Sequence, residues 1–264
     1  MPTRTVLGQL AGFKQESLIA SANKSLNMSI TQLAAGKTKT VSTTAEPNQV
    51  VLGFRDDVTA GDGMKQDTLP GKGMVNATIT AKLYQFLSEN GIPTHLVKQI
   101  DETRLLVTRL EMIPVEVVCR IRAAGHFLGI GKKFKTGDRL PFPIVEFYLK
   151  DDAHHDPLVT DDHLKLLGLA NSSEIEQMKQ MTVKAATVLE KYFEERGAIL
   201  VDFKLEFGHD QGGKLLIGDE LSPDSWRLWD KKSGDILDKD RFRKDLPQIF
   251  ELGYMEPYRR ICGE

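Results

Sequence analysis

In the stretch LVDFKLEFG, residues 200–208, three charged side chains alternate with apolar ones. Asp202, Lys204 and Glu206 occupy every second position, and successive side chains of a β-strand point to opposite faces. An acid, a base and a second acid would therefore share one face of a strand, while the apolar side chains form its core face. Because an unpaired buried charge is costly, the charged face must be either solvated or paired.

The segment that follows predicts a partner strand for this row. HDQGG makes a turn, and KLLIGDELS runs back antiparallel. With a tight connection Asp219 falls on the same face as Glu206, although the sequence leaves the register open. Two converging carboxylates repel, and Mg²⁺ is the ordinary partner where phosphates are near. The alternative is a solvated edge hairpin that Lys204 neutralises; the concentration of acids and Trp in DELSPDSWRLWD favours a site.

Two lysines in GKTKTV provide a second candidate. Lys37 and Lys39 are two positions apart, so on a strand they would project from one face and could bring two ammonium groups onto polyphosphate oxygens. The spacing of a Walker A loop is absent. Two exposed lysines that discourage edge-to-edge aggregation are the alternative.

Arginines precede a turn of small residues in VEVVCRIRAAG. Arg120 and Arg122 end a predicted strand beside Gly125, an arrangement that suits a planar carboxylate or a phosphate. A surface ion pair is the alternative. Adjacent His154 and His155 would point in different directions, which argues against a histidine metal site.

The surrounding pattern predicts the elements that position these residues. Two β-rich runs flank the turn AEPNQ and predict a hairpin. A helix with apolar residues at positions 75, 79, 83 and 86 should stop at Gly91 and precede a strand. Strands are expected on both sides of Pro114. A second long helix should begin with a capping box of Ser173 and Glu176 and end at Gly197.

Two segments carry no residue pattern that indicates a specific chemical role. Residues 1–27 could form a short docking helix or a loose extension. The stretch RDDVTAGDGMKQDTLPGKG is too polar for a core and long for a connection, and residues 56–72 within it could act as a lid.

Composition narrows the class of protein. The chain has 264 residues, is 41% apolar and carries a formal net charge of −2, so it can bury a sizeable core and has no bulk attraction to nucleic acid. Only Cys119 and Cys262 are present, which fits a reducing compartment. No apolar run approaches membrane-spanning length and no secretory signal is recognisable. We therefore expect a cytoplasmic α/β or α+β enzyme with no membrane association.

Seven segments together resemble one family, the phosphoribosylaminoimidazole-succinocarboxamide synthases, or SAICAR synthetases, of purine biosynthesis. In order they are GKTKTV, FRDDVTAGDGMKQDTLPGKGMVN, IPVEVVCRIRAAG, FYLKDDAHHDP, LVDFKLEFG, DELSPDSWRLWD and KDRFRKDL, and they fall within residues 32–246. LVDFKLEFG and SPDSWRLWD are the most specific. Residues 1–27 lie outside the resemblance.

The resemblance implies a fold and an activity. The expected fold is α+β with antiparallel sheets: a 28–111 ATP-binding domain and a 112–264 substrate- and metal-binding domain follow the 1–27 extension, with ATP in the cleft between the domains. The expected enzyme is an ATP-dependent ligase that joins carboxyaminoimidazole ribonucleotide (CAIR) to L-aspartate through an acyl phosphate and forms SAICAR, ADP and phosphate. A homo-oligomer is possible.

The resemblance also implies site residues. ATP phosphates are assigned to Lys37 and Lys39, the adenine region to Glu111 and Met112, and Mg²⁺ to Glu206 and Asp219. The imidazole nucleotide is assigned to Arg120 and Arg227, and the surroundings of the reacting carboxylate to Lys204, Asp202 and Asp224. Glu116 and Lys150 match cofactor positions and Asp156 a substrate position. His126 stands where the family usually has Ser near the nucleotide phosphate; imidazole can still donate a hydrogen bond, but its charge varies with pH.

Two other functions compete with this expectation. A ligase acting on a different carboxylic acid would share the phosphate and metal groups and differ around Arg120, His126 and Arg227. A regulatory nucleotide-binding protein would keep the cleft without the chemistry, and the intact set of Lys37, Lys39 and two acids argues against it.

Overall fold

The protein is described here by a computed structural model that covers residues 31–61 and 63–263. Strands β1 to β7 are β1 (Gln32–Ala35), β2 (Lys39–Thr43), β3 (Gln49–Phe54), β4 (Asp57–Ala60), β5 (Lys65–Thr68), β6 (Leu96–Gln99) and β7 (Arg104–Thr108). Five of them form a sheet in the order β1-β2-β3-β7-β6, while β4 and β5 form a separate hairpin. The extension predicted at 1–27 lies outside the described residues.

The second sheet carries the charged row, that is, the side chains of Asp202, Lys204 and Glu206 on one face of a strand. Its strands are β8 (Glu111–Arg122), β9 (Arg139–Leu149), β10 (Leu158–Val159), β11 (Ala198–His209), β12 (Leu215–Gly218) and β13 (Trp226–Asp230). The order is β10-β9-β8-β11-β12, and β13 also pairs with β11. Neighbouring strands in both sheets are antiparallel. The predicted α+β class with antiparallel sheets is confirmed, whereas the division at residue 111, where β8 begins, stays a prediction.

The helices lie between and beside the sheets. They are α1 (Lys72–Glu89), α2 (Phe127–Ile130), α3 (Asp161–Leu166), α4 (Ser172–Glu194), α5 (Asp240–Arg243) and α6 (Glu256–Cys262), with a 3₁₀ turn at Asp152–His154 and a π-helical turn at Glu251–Met255. None of the helices in the described ranges is long and apolar enough to cross a lipid bilayer.

Helix α1 is shared by two hydrophobic clusters. Ala77 and Ala81 pack with the apolar face of the first sheet. Ile79, Leu83 and Tyr84 belong to the larger cluster that includes β8 and β11. The helix ends as predicted, because Gly91 adopts the left-handed backbone with φ 69°. A helix buried on two sides fixes its first turn against both sheets.

The polar segment after β3 differs from its prediction. It was expected to be a loop outside the core, but it contains the β4–β5 hairpin, in which Asp57 pairs with Thr68. It also contains Lys72, whose side chain is only 1% exposed. A lysine can be buried there because the carboxylate of Asp224 lies 2.5 Å from its Nζ. Its action as a lid stays a prediction.

The strand break expected at Pro114 is wrong. Strand β8 runs through Pro114, and the chain leaves the first sheet earlier, between Thr108 and Glu111. The pairing of β8 with β11 is irregular between Glu206 and Gly208, opposite this proline. Proline is tolerated at such a bulge because no regular ladder bond from its nitrogen is required.

The capping box of α4 is two residues earlier than predicted. The side chain of Asn171 accepts hydrogen bonds from the backbone N–H groups of Ser173 and Glu174, and Glu174 accepts one in return from the Asn171 N–H. Asn171 and Glu174 have the same spacing as the predicted pair Ser173 and Glu176, and Asn is an equally good N-cap, so sequence did not separate them. Ile175, Met178, Ala185 and Leu189 are buried on one face of the helix, and Gly197 turns the chain after its end with φ 71°, as predicted.

Gly208→Ala should destabilise the sheet that carries the charged row. A Cβ at Gly208 would lie 2.7 Å from the backbone oxygen of Glu111 and 3.0 Å from Met112 Cα, which cannot move without separating β8 from β11. We expect the free energy of unfolding in urea to fall by about 1–3 kcal/mol. Gly129→Ala is the control, since a Cβ there meets nothing within 4 Å. Equal unfolding free energies for the two variants would contradict the close approach.

Candidate active site

Strand β11 lies between three other strands and so collects their side chains. Asp202 is opposite Arg120 of β8 and Arg227 of β13. Glu206 is opposite Glu116 of β8 and Gly218 of β12. The predicted antiparallel return of β12 is confirmed, and its register places Asp219 directly after the residue that faces Glu206.

The charged row of β11 is paired. Lys204 Nζ lies 2.6 Å from Glu116 Oε1, 2.7 Å from Glu206 Oε1 and 3.9 Å from Asp219 Oδ2. Lys150 Nζ lies 2.6 Å from the other oxygen of Glu206. The carboxylates of Glu206 and Asp219 therefore converge on one lysine, and the alternative of a solvated edge hairpin is wrong.

Lys39 neutralises the end of β12. Its Nζ forms ion pairs with Asp219 and with Glu220, the latter at 2.8 Å. Burial alone would lower the pKa of Lys39, but attraction to these two carboxylates outweighs it and raises the pKa above its ordinary value. Asp219 adopts a left-handed backbone with φ 57°, a conformation that costs a non-glycine residue energy and concentrates at functional sites.

Lys37 is placed differently from its prediction. It precedes β2, in the turn where the Gly36 N–H donates to the Lys39 carbonyl, so the two lysines do not share one face of a strand. Lys37 Nζ lies 2.9 Å from Asp152 on a half-exposed surface. Both lysines nevertheless line one cavity of about 850 Å³, together with Lys150, Glu206 and other residues.

Asp202 bridges two arginines in the lining of a second cavity. Its Oδ2 accepts from Arg120 Nη1 at 3.0 Å and from Arg227 Nη1 at 2.8 Å. Arg120 also donates from Nε to Glu146 at 2.6 Å and is 4% exposed, so it is not the surface ion pair considered as an alternative. Gly125 has φ 54°, and a Cβ there would lie 2.9 Å from Arg227 Nη2, which confirms a close-approach glycine.

This second cavity has a volume of about 210 Å³ and is lined by all four residues predicted to bind substrate. The predicted residues that line it are Glu116, Arg120, His126, Asp156, Asp202, Lys204, Asp224 and Arg227. Arg243, which the sequence did not single out, lines both cavities. The two cavities therefore meet at a wall that includes Lys204 and Asp224.

A third cavity of about 370 Å³ has mainly apolar walls. Met112, predicted in the adenine region, lines it with Leu52 and Val107, whereas Glu111 is not among the described residues that line it. His95 also lines it and was missed, since nothing in GIPTHLV marks a site. Burial lowers the pKa of His95 to about 4, so its imidazole is neutral at pH 7.

The sequence also missed the partners of Asp224. Lys72 Nζ lies 2.5 Å from Asp224 Oδ2, Asn76 Nδ2 donates to the same oxygen at 3.0 Å, and Tyr254 OH donates to Oδ1 at 2.8 Å. Lys72 and Asn76 fall in a segment that carries the family resemblance, which is the one available signal. Tyr254 follows no motif.

A metal ion would need oxygen ligands from outside the protein. In residues 31–61 and 63–263, no three His, Cys, Asp or Glu side chains are grouped closely enough to hold one. Mg²⁺ commonly takes only one or two carboxylates and completes its octahedron with phosphate oxygens and water. Glu206 and Asp219, which converge on Lys204, fit this mode of binding.

Fold and site define the class of this protein: an α+β enzyme whose connected cavities, lined by lysines, arginines and carboxylates, suit a phosphorylated ligand. A family model described as SAICAR synthetase matches residues 32–260. The chain belongs to the SAICAR synthetase family.

Individual relatives and solved structures are similar to this chain over most of their length. The phosphoribosylaminoimidazole-succinocarboxamide synthase of Methanocaldococcus jannaschii is 46% identical over 217 residues, which cover 82% of this chain and 89% of the relative. A SAICAR synthetase solved in complex with ADP has a TM-score of 0.82 at 40% identity and covers 88% of this chain and 97% of its own. The corresponding synthase from Ehrlichia chaffeensis has a TM-score of 0.85 at 35% identity, covering 89% of this chain and 99% of its own.

Arg120→Met should destabilise the protein far more than Arg139→Met. Arg120 compensates Asp202 and Glu146 at a buried site, and removing one partner of a buried pair costs about 3–5 kcal/mol. Arg139 pairs with Glu190 while 49% exposed, and such a pair contributes below about 1 kcal/mol. Urea unfolding at neutral pH measures both. Equal losses would show that the pairs of Arg120 are not sheltered from water.

Proposed function

We propose that the chain catalyses the ATP-dependent joining of the carboxylate of CAIR to the amine of L-aspartate, with release of ADP and phosphate. One observation carries the proposal: the lysine-rich cavity and the arginine-rich cavity meet at Lys204 and Asp224. A phosphate donor in the first would lie beside an acidic acceptor in the second. The activity named for the relatives and the ADP complex of one of them support it.

The lysine-rich cavity suits the triphosphate of ATP. Lys37, Lys39 and Lys150 line it, and each is neutralised by a carboxylate that a phosphate oxygen could replace. The base of ATP would enter the apolar third cavity, where Met112 and the neutral His95 lie. Glu206 and Asp219 would hold Mg²⁺, which when bound offsets charge on the transferred phosphate.

The arginine-rich cavity suits the imidazole nucleotide. Arg120 and Arg227 present guanidinium groups whose planar forks match carboxylate and phosphate oxygens. Arg243 and His126 add donors at its wall. In this arrangement His126 replaces a hydroxyl donor with an imidazole N–H donor.

The chemistry requires activation because a carboxylate is a poor acyl donor. A carboxylate oxygen of CAIR attacks the γ-phosphorus of ATP and the bond to ADP breaks, which leaves an acyl phosphate. The amine of L-aspartate then attacks the acyl carbon, phosphate departs with its bonding electrons, and the new amide nitrogen loses a proton. Lys204, positioned between the cavities, would offset charge on the transferred group while the site aligns donor and acceptor.

A direct assay of ADP and SAICAR with each substrate omitted in turn tests the proposal. We expect SAICAR only when ATP, CAIR and L-aspartate are all present, with one ADP for each product molecule. A panel of other carboxylic acids with L-aspartate separates this activity from a ligase for another acid. Faster turnover of another acid, or ATP binding without any product, would overturn the proposal.

Glu206→Gln and Asp219→Asn should each abolish most ATP-dependent product formation. Each exchange removes a negative charge at the convergence on Lys204, and the loss of one preorganised charge commonly reduces turnover by about 10²-fold or more. Asn tolerates the left-handed backbone at 219, so the turn should persist. Circular dichroism checks the fold, and Glu176→Gln on the exposed side of α4 is the control. Near-normal turnover at low Mg²⁺ would contradict the metal assignment.

A further inference from the structure

Asp224 is held by three side chains from two other parts of the chain. Lys72 and Asn76 come from the first two turns of α1, and Tyr254 comes from the π-helical turn. All three are at most 1% exposed, and the side chain of Asp224 itself is 7% exposed. Buried ion pairs are weak contributors to stability compared with apolar packing of the same volume, so stability alone does not account for this arrangement.

The hydrogen bonds leave one acceptor position on this carboxylate. An ionised carboxylate has about four lone-pair sites, two on each oxygen. Oδ2 receives Lys72 and Asn76, while Oδ1 receives Tyr254. Within the described residues, one site on Oδ1 therefore stays open, and Asp224 lines both of the cavities that meet at Lys204.

The charges around Asp224 keep it ionised. Burial alone would raise the pKa of its carboxyl, but Lys72 and then Lys239, with the hydrogen bonds from Lys72 and Tyr254, outweigh burial and hold the pKa below its ordinary value. The other charged groups that face the cluster are Arg243 and Glu220. A carboxylate with so low a proton affinity is a fixed acceptor and a poor general base.

We propose that Lys72 is a positioning residue of the ligase: with Asn76 and Tyr254 it fixes Asp224 as an ionised acceptor that receives a single N–H from a substrate. The inference rests on the proposed function. Two substrates supply such a donor, namely the amine of L-aspartate and the amino group beside the carboxylate of CAIR.

Lys72→Met should make activity depend on pH in a new range. Without the ammonium group burial dominates, so the pKa of Asp224 rises and the acceptor is lost as the pH falls through the raised value. We expect the acid limb of kcat/KM to move up by at least about one pH unit and activity to recover at alkaline pH. Lys72→Arg keeps the charge and should leave the limb in place. Lys82→Met, on the exposed face of the same helix, is the control.

Tyr254→Phe carries the test if Lys72→Met does not fold. It removes only the hydroxyl that donates to Oδ1 of Asp224. The acid limb of kcat/KM should therefore also move to higher pH, but by less than in Lys72→Met. Asp224→Asn identifies the donor: a KM increase for L-aspartate points to its amine and one for CAIR points to the imidazole amino group. Acid limbs that coincide in wild type, Lys72→Met and Tyr254→Phe, or a limb displaced equally by Lys82→Met, would overturn the proposal.

A measurement without substrates separates this inference from the function. In Lys72→Met the folded-state pKa of Asp224 lies above its unfolded value, so the folded state binds the extra proton and stability should fall as the pH rises through that window. The double variant Lys72→Met with Asp224→Asn should lack this dependence. If wild type makes no SAICAR while this pH dependence of unfolding is found, the proposed function fails and the electrostatic role of Lys72 stands. If wild type makes SAICAR but the unfolding free energies of Lys72→Met and of the double variant depend on pH in the same way, the inference about Lys72 fails while the proposed function stands.

Discussion

The structure depends on one constraint, that the charges on the polar face of β11 must be paired before that strand can lie inside a sheet. A buried ion without a partner would cost more than the chain could recover from apolar packing. Asp202, Lys204 and Glu206 therefore each contact charges from other elements. Because these partners lie on β8, β13 and the segment after β9, the charged row fixes the relative position of the strands while the other face of β11 fills the core.

The same pairing prepares the cavities for a highly charged ligand. Lys39, Lys150 and Lys204 contact the acids Glu116, Glu206, Asp219 and Glu220, so the resting site is close to electrically neutral. A phosphate oxygen can replace a carboxylate at a lysine at little electrostatic cost, provided that the released carboxylate gains another cation. Under the proposed function, these charges are already held in place before a ligand arrives, which is the preorganisation that catalysis needs.

The local sequence pattern correctly predicted features that depend on local backbone geometry. It failed for features that depend on contacts between residues distant in the sequence. The alternation in LVDFKLEFG gave the correct polar face, because the period of a strand is two. The burial of Lys72 could not be predicted, since its partner Asp224 lies in another segment. Likewise, Lys39 and Asp219 are 180 positions apart in the sequence, and only the packing of the two sheets brings them into contact. Pro114 was misjudged because the bulge that tolerates it, in which residues 113–115 of β8 face the single residue 207 of β11, forms only when these two strands, distant in sequence, pair.

Helix α1 explains why the site can be both charged and rigid. Its residues contact both hydrophobic clusters, so the helix cannot shift toward one sheet without opening a void against the other. Its first two turns carry Lys72 and Asn76, which both reach Asp224, and Asn76 also donates to Glu220 at 3.3 Å. Glu220 in turn contacts Lys39 of the first sheet. The groups assigned to phosphate and to the reacting carboxylate are thus joined by one hydrogen-bonded chain that is anchored to apolar packing, and a displacement at either cavity would be resisted by both cores.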